Sequence, residues 1–126
     1  MSSRTTAIPK QRDWMCKLAY ASYASNAVDL LLLPVTIGHK QSSAMVDSGA
    51  SHNFISTTML SMLKSTVPDA VTCRYSSEPL RVSLADRTVV LSTKIAILKL
   101  KLDDGSVHCI EFRAVPRLNH PLILGL

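Results

Sequence analysis

No apolar stretch in this chain is long enough to be anything but a short element. The longest is Leu30 to Pro34, with Val28 before it and Val35 to Ile37 after it, far below the ~20 residues a membrane-spanning helix needs. The rest, such as Ala44 to Val46, Val89 to Leu91 and Leu122 to Leu124, lie between clusters of Gly, Asp, Ser and Pro. Short apolar runs between turn residues read as strands. With 126 residues, 47% of them hydrophobic, 18% charged and 5% aromatic, the chain has room for one small core of Leu, Val, Ile and Ala. Such residues favour sheet, and the expected class is all-β.

The order of runs gives an expected layout. Residues 1 to 27 are polar and then Ala- and Ser-rich, and read as a linker or leader; a short helix from Asp13 to about Ala24 is the one element expected there. Leu30 to Ile37 predicts a strand, Gly38 to Gln41 its turn, and Ser43 to Val46 the return strand. Phe54 and Ile55 continue as extended chain. Met59, Leu60 and Leu63 at helical spacing predict one or two turns of helix over Thr57 to Leu63, ended by Val67-Pro68-Asp69. Leu80, Val82 and Leu84 lead to Ala85-Asp86-Arg87-Thr88, and Val89 to Leu91 lead away, which is a hairpin pattern. A second hairpin turns at Asp103-Asp104-Gly105-Ser106, between Lys94 to Leu102 and the return residues Val107, Ile110 and Phe112. A phase slip near Ile97 and Leu98 predicts a bulge or a strand buried on both faces.

One stretch carries chemistry. Ala44-Met45-Val46 delivers Asp47 into the small residues Ser48-Gly49-Ala50, followed by Ser51-His52-Asn53-Phe54-Ile55-Ser56. Asp-Ser-Gly alone is an ordinary turn sequence. A particular tetrapeptide recurs by chance at about one position in 10⁵, and the apolar flanks set this one at the end of a strand. A carboxylate among tiny side chains suits acid-base work, because a substrate backbone and a partner loop can approach it closely.

Val46 to Ser56 is very similar to the active-site stretch of the retropepsin-like aspartic proteases, gypsy-type LTR retrotransposon enzymes in particular. Pro121-Leu122-Ile123-Leu124-Gly125-Leu126 resembles their closing apolar-apolar-Gly motif. The resemblance spans about residues 28–126. It implies a closed β-barrel half with a flap hairpin and one short helix, active as a twofold homodimer. In it Asp47 would be the catalytic aspartate, Ser48 would bond across to the opposing loop, and Gly49 would offer its amide to the carboxylate. Ala50, Leu84, Ala85 and Asp86 would meet the substrate, and Ile123, Leu124 and Gly125 would pack beside the active-site loop. The implied activity is endopeptidase cleavage of a retrotransposon Gag-Pol polyprotein. Family members run on into a helix and a C-terminal strand that join the subunits, so a chain stopping at Leu126 is expected to be truncated, with a weak dimer. The flap tip also carries Arg87 where glycine is frequent in the family, which is expected to stiffen the hairpin or alter its closure.

The carboxylate count agrees. Hydrolysis without a metal or a covalent intermediate needs a base for water and an acid for the leaving amine, which two adjacent carboxylates sharing a proton provide. This chain has one such aspartate, since Asp103-Asp104 sits in a turn, so the second is expected from a second copy on a twofold axis. No cofactor or metal is expected: His52, His39 and His108 lack ligand spacing. Cys16, Cys73 and Cys109 are an odd number without a Cys-x-x-Cys pair, which favours a reducing, cytoplasmic setting, with Cys73 and Cys109 expected as buried thiols. Fourteen Lys and Arg against nine Asp and Glu leave a charge of +5, but they are scattered without interleaved aromatics, so nucleic-acid binding is not expected. The rival reading is a non-catalytic dimerisation or peptide-binding module on the same fold.

Overall fold

A computed structural model describes residues 31–84 and 86–125. The helix expected at Asp13 to Ala24 and the leader at 1 to 27 lie outside the described residues, as does Ala85. Seven strands form one sheet: β1 (Leu31–Ile37), β2 (Lys40–Asp47), β3 (Phe54–Ser56), β4 (Val71–Ser83), β5 (Val89–Lys101), β6 (Val107–Val115) and β7 (Leu122–Gly125). Their order is β1-β2-β7-β3-β6-β5-β4, and Thr36 and Ile37 of β1 pair with Lys101 and Leu100 of β5 to close the sheet on itself. The result is the expected barrel half with a hairpin flap.

The first turn is tighter than its sequence implied. Gly38 and His39 alone make it, and Lys40 and Gln41 already belong to β2, because Gly38 takes a left-handed φ of 62° that lets the chain reverse in two residues. Among the described residues one α-helix forms, α1 (Thr57–Thr66), which starts where the Ser56 hydroxyl accepts the Met59 amide at 3.1 Å, one of the donors a helix leaves open at its N-terminus. Met59, Leu60 and Leu63 face the core, and Lys64 lies in the last turn, where a cation complements the helix dipole. Pro68 follows in a single 3₁₀ turn, Pro68–Ala70.

Of the two alternatives for the slip in β5, burial on both faces is the one found: Ile95 and Ala96 are adjacent and both buried. The pairing of β5 with β6 runs without a break from Ile95 opposite Arg113 to Lys101 opposite Val107. The irregularity lies instead in β4, whose register against β5 shifts between Tyr75 and Leu80. Cys109 is exposed, not buried, and Cys73 is half-buried, because Ile110 and Phe112 take the core side of β6 and the alternation turns Cys109 outward.

Two apolar clusters divide the interior. The larger contains Ile37, Ile55, Leu63, Leu98, Leu100, Phe112, Leu122 and Leu124. The smaller gathers Phe54, Val82, Val115 and Ile123, with Met45, Ala50, Leu80, Leu84, Val90 and Leu118 against it. Strands β3 and β7 serve both, with Ile55, Leu122 and Leu124 turned to the first and Phe54 and Ile123 to the second. Every residue of Leu122–Gly125 is therefore buried, as expected for a strand covered on both sides.

Candidate active site

Strand β7 runs parallel to β2, setting Ile123 beside Met45, Leu124 beside Val46 and Gly125 beside Asp47. On its other side it pairs antiparallel with β3, Ile123 opposite Phe54. The two ends of the motif stretch, Asp47 and Phe54, thus flank one short strand, and the residues between them are forced into a loop above it. The loop closes on itself: the Ala50 amide donates to the Asp47 carbonyl at 3.1 Å, and the Gly49 amide donates to Asp47 Oδ1 at 2.9 Å. Asp47 is half-buried, and among the described residues its Oδ2 has no hydrogen-bond partner.

Gly125 lies so close beneath this loop that a Cβ there would sit 2.6 Å from both the Ala50 and His52 carbonyl oxygens. No other side chain fits without moving backbone. Asn53 closes the far end: its Oδ1 accepts the Gly125 amide at 3.0 Å, its Nδ2 donates to the Glu111 carbonyl at 3.0 Å, and its own carbonyl accepts the Arg113 amide at 2.8 Å.

Above the loop is a cleft of about 590 Å³ lined by Asp47, Gly49, Ala50, Leu84, Asp86 and Ile123 from the sequence-derived set, joined by Met45, Phe54, Leu80, Val82, Arg117 and Leu118. The volume is that of an ordinary ligand site. The floor and the underside of the flap are apolar, and the rim is charged. Of the remaining expected residues, Ser48 is exposed at the loop's outer edge, and Leu124 faces the larger core, not the cleft. Ala85 lies outside the described residues.

At the flap tip the hairpin turns with the Leu84 amide donating to the Thr88 carbonyl and the Arg87 amide to the Leu84 carbonyl, both at 2.9 Å. Arg87 occupies the left-handed position of this turn at φ 70°. Asp86 Oδ1 accepts the Thr88 hydroxyl at 2.6 Å and its amide at 3.0 Å, and Oδ2 lies 3.4 Å from Arg117. The Thr88 hydroxyl, then its amide, then the Arg117 charge hold the Asp86 carboxyl below the usual aspartate range. Sequence reasoning does not find Arg117 and Leu118; the only signal is the pair Pro116 and Pro121, which mark a loop without saying what it meets. Asn53 stands inside the motif with no local feature to reveal its bonds. His52 meets the Ser51 hydroxyl through Nδ1 at 2.9 Å, and among the described residues no three His, Cys, Asp or Glu gather in a metal-binding group.

A mostly-β barrel half with a flap over one aspartate loop is the retropepsin-like architecture. Residues 33–126 match the aspartyl protease family, and the chain belongs to it. The fold is similar to EIAV protease complexed with the inhibitor HBY-793, at 14% identity over 79% of this chain and 85% of that one, TM-score 0.50. The retroviral protease-like domain of Ddi1 from Leishmania major aligns at 19% identity over 79% and 71%, TM-score 0.49. A retropepsin-like aspartic protease from Rickettsia conorii aligns at 14% over 77% and 74%, TM-score 0.43. No curated protein sequence matches the chain.

Proposed function

We propose that this chain is an aspartic endopeptidase that works as a twofold dimer, with the Asp47 carboxylates of two copies meeting on the axis to activate water. The observation that carries the reading is the state of the two carboxylates lining the cleft. Asp47 lines the cleft and its Oδ2 accepts no hydrogen bond among the described residues, whereas both oxygens of Asp86 are engaged by Thr88 and Arg117. A group held ionised in this way is a poor proton donor, so the chain supplies one reactive carboxylate and the reaction needs two.

Each residue then has a part. One Asp47 takes a proton from water while the other, holding the shared proton, delivers it to the leaving amine. The Gly49 amide fixes the carboxylate's rotation. An extended peptide lies between flap and loop, with its backbone along the flap edge and its apolar side chains against Phe54, Val82 and Ile123. Ser48, exposed at the loop's edge, bonds in this reading to the opposing copy. The similarity of Val46 to Ser56 to gypsy-type enzymes supports a Gag-Pol polyprotein as substrate, in an intracellular setting.

The test is cleavage of a mixed peptide library over about pH 4 to 7, with sedimentation at the same protein concentrations. A bell-shaped profile, blocked by a pepstatin-type inhibitor and rising with the dimer fraction, supports the reading. Peptide capture without hydrolysis at concentrations where the chain is dimeric would replace it with the non-catalytic binding module.

A further inference from the structure

We infer that Asn53 is a positioning residue, the clamp that sets the height of the Asp47 carboxylate by tying the far end of its loop to strands β6 and β7. The inference rests on the proposed peptidase reading for its kinetic consequence, but not for its structural one. The loop between Asp47 and Asn53 has two anchors. At the near end Asp47 is held by the β2 ladder, paired with Gly125. At the far end Asn53 uses both halves of its amide, with Oδ1 receiving the Gly125 N–H and Nδ2 donating to the Glu111 carbonyl, each at 3.0 Å. Its main-chain carbonyl takes the Arg113 N–H at 2.8 Å. Gly125 is therefore gripped from both ends of the loop, by pairing with Asp47 and by the Asn53 side chain. Because a Cβ on Gly125 would already meet the Ala50 and His52 carbonyls at 2.6 Å, movement of β7 against the loop has no slack to absorb it. A loss of the Asn53 bonds is carried straight into the residues that shape Asp47.

The chemistry is specific to an amide. One side of the group must accept and the other donate, in fixed directions. Serine is too short to do both, and an ionised carboxylate accepts at both oxygens and would face the Glu111 carbonyl without a proton. A protonated carboxyl restores the pattern, with O–H toward Glu111 and C=O toward Gly125.

Asn53→Asp converts this into a measurement. With the new carboxyl neutral the clamp holds, and with it ionised the clamp opens, so kcat of the variant falls toward neutral pH with an ionisation the parent lacks, while KM stays within about threefold. Asn53→Ala, with no polar group, loses kcat by about tenfold to a hundredfold across the whole range. Titratable and charged groups on the elements packed against position 53 are Asp47, His52, Glu111 with its partner Arg74, and Arg113; all are present in the parent, whose profile subtracts them. A second readout needs no activity: the protection factor of the Gly125 amide, corrected for intrinsic exchange, falls at least about tenfold in Asn53→Asp between acid and neutral pH and is flat in the parent. Superimposable parent and variant profiles, with Gly125 protection unchanged, would overturn the inference. An inactive parent, with Gly125 protection in Asn53→Asp still following the new carboxyl, would sink the peptidase reading and leave the clamp standing.

Discussion

Two aspartates face the same cleft from opposite sides, and each accepts a main-chain amide two residues ahead: Gly49 to Asp47, Thr88 to Asp86. The local turn is the same, but the residue at the second position differs. Thr88 brings a hydroxyl that occupies the same carboxylate oxygen at 2.6 Å, while Gly49 brings nothing. A third copy of the pattern, Asp104 with Ser106, repeats the flap version at the other hairpin, hydroxyl at 2.6 Å and amide at 2.9 Å. Its carboxyl, like that of Asp86, is held below the usual range, first by the hydroxyl and then by the amide. At both hairpins the hydroxyl adds a second bond to the oxygen that already takes the amide, whereas Gly49 leaves Asp47 with the amide bond alone; only Asp86 has its other oxygen engaged as well, by Arg117.

The strongest way to break this comparison is to exchange amide for acid on each side. Asp47→Asn should lower peptidase activity by about a thousandfold or more with the fold intact, and Asp86→Asn should leave most of it; the reverse order in kcat/KM would dismiss the distinction. Next in size is the support beneath the loop. Gly125→Ala sets a methyl 2.6 Å from two carbonyl oxygens, which backbone cannot yield cheaply, so denaturant unfolding should show a loss of about 3 kcal/mol and activity should fall with it. A loss under about 1 kcal/mol would mean the loop is not seated on β7.

The two hairpins sharpen the same contrast at lower energy. Leu84 to Thr88 and Leu102 to Ser106 have matching bond patterns, with the left-handed position filled by Arg87 at φ 70° in one and Gly105 at φ 88° in the other. Nothing lies within 4 Å of a Cβ built on Gly105, so Gly105→Ala tests backbone strain alone and should cost about 1 kcal/mol, while Arg87→Gly should gain somewhat less than that. If Arg87→Gly destabilises instead, the arginine side chain is supporting the flap.

The smallest effect is in pH. Because the folded Asp86 and Asp104 carboxyls are depressed, their turn contributions are complete above the ordinary aspartate range and vanish as pH falls through the lower folded values. The protection factors of the Thr88 and Ser106 amides, corrected for intrinsic exchange, should therefore fall together in acid. Unequal onset would show that the neighbouring charges, Arg117 at the flap and His108 at the other hairpin, separate two otherwise equal turns.

Much of this architecture is legible in the order of residues. Hairpin turns, the strand leading into Asp47 and the capped helix after Ser56 follow from interactions within a few residues, where side-chain alternation and turn chemistry act directly. The exceptions are instructive. Cys109, expected inside, is outside because Ile110 and Phe112 claim the core side of β6. The β4 irregularity leaves its mark on no apolar pattern, since a bulge in one strand is defined only against its neighbour.

The sequence alone determined most of the elements, because periodicity and turn preference are local, and its resemblance to a protease motif singled out Asp47; the first part of β4, from Val71, carried no such signal. Tertiary structure decided where β7 is threaded, and with it the parallel pairing of Asp47 with Gly125. It also decided the Asn53 bonds to Glu111 and Gly125, 58 and 72 residues away, and the approach of Arg117 to Asp86. Those contacts join segments whose separation no local signal spans, and they exist only once burial on both faces of β7 has drawn that strand between β2 and β3.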